Sequence, residues 1–184
     1  MACDLTAGRL LPCKDVVGGI QTVFFIDYGD LTTFTLTNDE ITDAVTASAV
    51  SLFRYDLKGA SSLEQAITSS PDNGTTFFEQ TLTLNLQKLS KEDMLEFKLI
   101  AYGRPLVIIQ DNNDNFFLAG KEHGMSVSGG SITTGASFGD MSGTTLTLSG
   151  SEKLPANFIS GATSVDPFAG LASATGTVVP GTNS

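Results

Sequence analysis

Residues 75 to 87, TTFFEQTLTLNLQ, constrain the fold more than any other stretch. Phe78, Leu82, Leu84 and Leu86 fall on one face, and Glu79, Thr81, Thr83, Asn85 and Gln87 on the other. Period-two alternation belongs to a strand with one buried face. At about 3.3 Å per residue the run extends roughly 40 Å, well beyond the usual strand of about 5 to 6 residues. Such a strand overhangs a domain built from 184 residues. Overhanging strands aggregate or pair with another chain. This one reads as built to pair, which points to an assembly protein rather than an enzyme.

The segments around it read mostly as β. Ile20 to Tyr28 (IQTVFFIDY) is a first strand, and Gly29-Asp30 turns it into Leu31 to Thr37. Asn38-Asp39-Glu40 is a polar loop, and Val50 to Leu57 a third strand. Ser61 to Ser70 fits a helical turn followed by loop, closed by the turn signal Pro71-Asp72-Asn73-Gly74. After the long strand, Ser90-Lys91-Glu92-Asp93 has the form of a capping box. It opens a helix that Gly103 and Pro105 end. Pro105 to Gln110 (PLVIIQ) is nearly all apolar and hence a buried strand. Asp111 to Asn115 (DNNDN) is a hairpin loop, and Phe116 to Ala119 returns. Met125 to Ile132 and Thr144 to Ser149 complete about eight strands. The predicted fold is mainly β: a β-sandwich or rolled antiparallel sheet with one flanking α-helix.

The predicted organisation is an N-terminal arm (1–19), a β domain (20–150) and a C-terminal tail (151–184) rich in Gly, Ser, Thr and Pro. Phe158, Ile159, Phe168, Leu171, Val178 and Val179 are scattered along the tail. Ordering each residue costs roughly 1 to 2 kcal/mol of backbone entropy, so the tail is expected to be disordered or ordered against a neighbouring subunit.

Composition limits the function. Charged residues make up 16% of the chain, against about 25% in ordinary domains. The net charge is −10, and no Lys or Arg run follows a phosphate backbone. Acidity of this kind maintains solubility, and it also repels DNA. Met1 to Leu11 lacks a basic n-region and a long apolar h-region, so no signal peptide is expected. No run reaches the roughly 18 apolar residues of a membrane span. Cys3 and Cys13 are either free thiols or one bridge closing the arm.

Chemistry-bearing patterns are absent from the sequence. His123, the sole histidine, reads as a surface turn residue with no partner in a metal-binding motif. Asp111, Asn112, Asn113 and Asp114 lack EF-hand spacing and read as a plain hairpin loop. No nucleophile elbow, phosphate loop or dinucleotide fingerprint occurs. No residue is assigned a catalytic, cofactor-binding or metal-binding role, no cofactor is expected, and the chain reads as a non-enzyme.

The layout resembles the tail tube proteins of tailed bacteriophages. The resemblance rests on Thr75 to Leu89, the helix from Lys91 to Ala101, PLVIIQDNNDNFFLAG at 105–120, and the strand, Gly-rich bend and strand that follow at 124–158. It implies a structural virion protein, assembled in the host cytoplasm. It implies homo-oligomers, six copies to a ring, single or stacked, with DNA passing through without tight binding. The implied partners are further copies and other tail or connector proteins, with no membrane. The long strand would help to line the lumen, and the arm and tail would bridge to neighbours. A head–tail connector or collar ring shares this layout. A capsid decoration or fibre-associated β-sandwich module is the alternative from another class.

Overall fold

A computed structural model describes residues 7–10 and 14–181. The elements in order are β1 (Ile20–Ile26), β2 (Leu31–Thr37), β3 (Glu40–Thr46), β4 (Val50–Asp56), β5 (Ser62–Ser70), β6 (Thr75–Gln87) and α1 (Lys91–Tyr102). They continue as β7 (Leu106–Asp111), β8 (Phe116–Ala119), β9 (Ser126–Thr133), β10 (Gly143–Glu152), β11 (Asn157–Ile159) and β12 (Gly176–Val179). Eight strands form one sheet in the order β12-β4-β1-β7-β8-β11-β3-β2, and four form a second in the order β5-β6-β10-β9. The fold is mainly β, two sheets with a single flanking helix, as the periodicity predicts.

The two sheets pack face to face. Val23 and Phe25 of β1 and Val107 and Ile109 of β7 meet Leu82 and Leu84 of β6 and Leu146 and Leu148 of β10. The alternate residues Phe24, Ile26, Leu106 and Ile108 point the other way and are also buried, with Ile41, Leu52 and Leu118. The larger sheet therefore has a core on each face. This is why β1 and β7 are nearly continuous apolar runs.

The helix starts where the capping box puts it. The Ser90 hydroxyl accepts the Asp93 N–H at 3.0 Å. Phe97 is its one buried side chain and lies beside Tyr55 of β4.

Four segments depart from the expectation. Ser62–Ser70 is a full strand, paired residue for residue with β6 from Ser62↔Thr83 to Ser70↔Thr75. Its polar sequence hides it, because most of its side chains face solvent. Glu40 begins a strand, β3, because Asn38 and Asp39 both take positive φ (53° and 62°) and turn the chain in two residues. The long strand is a central strand with in-chain neighbours β5 and β10, so its own edges are not free to pair with another chain. What overhangs is the β5–β6 hairpin end, where Ile67 is 69% exposed.

The tail is ordered on its own chain. Ile159, Phe168 and Leu171 are buried in the outer core. β11 runs parallel to β3 and antiparallel to β8, and β12 runs parallel to β4, so the larger sheet is not purely antiparallel. Scattered apolar residues suffice because each enters a core that already exists, and local bonds such as Phe168 N–H to Asp166 Oδ1 (2.9 Å) hold the loops between them.

Candidate assembly surface

The outward face of the four-stranded sheet is built by the pleat. With Leu82 and Leu84 turned inward, the opposite residues form cross-strand rows. One row is Glu64, Thr81, Ser149 and Ser126; another is Ser62, Thr83, Thr147 and Gly129; a third is Asn85, Thr145 and Ser131. The middle of the face is thus hydroxyl and amide, with Thr145 Oγ1 bonded to Asn85 Oδ1 at 3.0 Å, and Ala66 and Phe77 follow towards the β5–β6 hairpin. Its outward charges are Glu64 and Glu79, both exposed. None of the four strands contains Lys, Arg or His. All ten basic residues of the chain lie elsewhere.

Among the described residues, neither edge of this sheet has a further strand partner, and α1 lies close to β9. β5 pairs only with β6, and β9 only with β10, among the described residues. β5 pairs in register over its whole length, and neither edge strand carries Lys, Arg or Pro. Charges, prolines and short length are the usual means of blunting an edge. β9 has one register shift, between its pairings to Thr147 and Leu148. The edges of the larger sheet differ: β12 has four residues, and β2 has two irregularities in its ladder.

Exposed apolar groups surround these edges. Phe138, in the loop between β9 and β10, is fully exposed, and Ile132 is 52% exposed. Asp140 holds that loop in shape by accepting the Ala136 and Ser137 N–H groups at 2.9 and 2.8 Å. The same two bonds keep its carboxyl below the usual range. On α1, Leu95, Leu99 and Tyr102 follow i, i+4, i+7 spacing and all face solvent.

A groove of about 960 Å³ runs between α1, β4 and the end of β12. Its floor includes Phe53 and Tyr55, and its helical wall carries Glu92, Asp93 and Glu96. Burial first, then Glu96 and Asp93, push the Tyr55 hydroxyl up to about 12.

The residues weighed for chemistry fall as follows. Asp111 accepts the N–H of Asn113 and Asn115, each at 2.8 Å, and both their side-chain amides. Burial pulls its pKa up, but these bonds outweigh it and leave it low. The DNNDN loop is therefore self-satisfied, and it also clamps the arm: Asn113 bonds both the N–H and the carbonyl of Val17, and Asn112 donates to the Gly18 carbonyl. Cys3 and Cys13 lie outside the described residues. His123 is in an exposed turn as expected, but it has a partner the sequence did not show. Its Nδ1 is 3.4 Å from Oε2 of Glu152, a residue 29 positions away.

Comparison with protein-family models, curated proteins and solved structures finds no match for this chain. No helix among the described residues is long and apolar enough to cross a membrane.

Proposed function

We propose that this chain is a ring-forming structural subunit of the tailed-bacteriophage tube type, a virion protein whose four-stranded sheet continues from one copy into the next. The observation that carries the reading is the sheet β5-β6-β10-β9, without a further strand at either edge among the described residues and without a basic residue. Every ladder in it is antiparallel. β5 and β9 therefore run in opposite directions. Copies related by rotation about an axis along the strands bring β5 of one against β9 of the next in antiparallel register. Head-to-tail contacts that close in this way remove every edge.

The resemblance implies six copies. Six times four strands, at about 4.8 Å between strands, give a wall roughly 115 Å around and roughly 37 Å across before strand tilt widens it. A DNA duplex fits within that bore. With the outward face turned to the lumen, Ser, Thr and Asn line the channel and Glu64 and Glu79 supply its charge. Two unit charges 4 Å apart repel by only about 1 kcal/mol in water, so the lining discourages phosphate from binding without blocking passage.

The fold of the tail favours a second reading, a connector ring that does not stack. With β11 and β12 bound to the chain's own sheet, the tail is not spare to bridge to a second ring. Light scattering across concentrations tests the proposal: a mass step from monomer to one closed species supports a ring, and growth without limit supports a tube. A constant monomer mass at all concentrations contradicts both.

A further inference from the structure

We propose that Glu122, His123 and Glu152 form a binding site for one divalent transition-metal ion of the zinc class. The site lies where two of the four crossovers between the sheets meet. Residues 120–125 carry the chain from β8 to β9, and β10 ends at Glu152 before the chain returns to β11.

Glu152 is the anchor. Its side chain is 4% exposed, on the inward face of β10, where an isolated carboxylate is costly. Oε1 accepts the N–H groups of Glu122 and His123 at 3.1 and 2.9 Å. That fixes the carboxylate plane and directs Oε2 to the imidazole. The turn is held from its other side, since the Tyr28 hydroxyl donates to the Glu122 carbonyl at 2.8 Å and Arg104 stacks on the Tyr28 ring. The Glu152 carboxylate is thus positioned by backbone contacts before any ion arrives.

The spacing fits an ion better than an ion pair. Glu152 Oε2 and His123 Nδ1 are 3.4 Å apart. A charge-assisted hydrogen bond between them should be about 2.7–2.9 Å. Two ligands of a tetrahedral ion with bonds of about 2.0–2.1 Å sit about 3.3–3.4 Å apart. One donor atom from each of the three residues lies within 4.8 Å of the others. Glu122 is closed in by a rotation of its half-exposed side chain, away from Lys153, whose ammonium is 3.7 Å from Oε2 and 79% exposed. One imidazole and two carboxylates suit Zn²⁺, Co²⁺ or Ni²⁺ rather than the all-oxygen sites of Ca²⁺ or Mg²⁺. His123 is 61% exposed, so the fourth position opens to water. The bound ion ties the two crossovers together and so stiffens the sandwich at that end.

The test uses the full chain with Cys3→Ser and Cys13→Ser, so that thiolates do not compete. Co²⁺ titration followed by visible absorption, and Zn²⁺ titration by calorimetry, should each show one ion per chain. Zn²⁺ at a hundredfold excess over its Kd should raise the Tm by about 5–10 °C. His123→Ala, at an exposed position, should keep the apo Tm and weaken the ion by more than the roughly 10–100-fold that loss of an outer partner costs. Glu122→Ala should weaken it while leaving the Glu152 anchor in place. Absence of binding below millimolar Zn²⁺ overturns the proposal, and so does binding that His123→Ala leaves unchanged.

Discussion

Gln80 and Gly120 join the two sheets through a single buried hydrogen bond, the Gly120 N–H donating to the Gln80 side-chain carbonyl at 2.9 Å. Gln80 is 1% exposed and interrupts the inward apolar row of β6. Gly120 has φ +70°, and a Cβ there would meet Gly124 and Met125 at 2.8 Å. Leucine at position 80 would remove the acceptor of the Gly120 N–H. Gln80→Leu should therefore cost about 1–3 kcal/mol, the usual penalty of an orphaned buried donor. Urea unfolding measures it.

The tail should prove part of the fold. Phe168 is 3% exposed and packs with Leu52 in the outer core. Phe168→Ala should cost about 3–5 kcal/mol. A chain ending at Ser151 should lose β11, β12 and that core's cover, and should fail to fold cooperatively in thermal unfolding.

Acid should release the tail locally. Ser173 donates to Asp43 through its hydroxyl at 2.7 Å and its N–H at 2.8 Å. These bonds, the hydroxyl's first, hold the Asp43 carboxyl below its ordinary value of 3.8. A carboxyl depressed in the folded state contributes stability above its unfolded value and loses it as pH falls through the folded value. The clamp should be intact at pH 5 and open only below 3.8. Hydrogen exchange at Ser173 between pH 5 and pH 2 follows it, and Asp43→Asn should remove the transition.

Much of this was legible in the residues, and the rest was hidden for physical reasons. The alternation of Thr75–Gln87, the Ser90 cap and the apolar run after Pro105 are local signals, and each element stands where they place it. β5 escaped because a solvent-facing edge strand needs few apolar residues. β11 and β12 escaped because strands of three and four residues are held by β3, β8 and β4, far away in sequence. The partnership of His123 with Glu152 escaped for the same reason: only the return of β10 brings the carboxylate to the turn.

The seam should be breakable without unfolding the subunit. Ala66 and Ser131 are exposed on the two edge strands. Lysine at both positions places charge on each side of the proposed contact, while surface changes of this kind usually alter stability by no more than about 0.5 kcal/mol. The double variant should keep the Tm of the monomer fold and lose the higher-mass species in light scattering.

Negative-stain electron microscopy of the purified full chain, across concentrations, tests the central claim most directly. The account predicts closed rings with an open bore, alone or stacked, that vanish in the Ala66→Lys, Ser131→Lys variant. Fields of single compact particles at every concentration, or rings that survive that variant unchanged, would contradict a wall built by pairing β5 with β9.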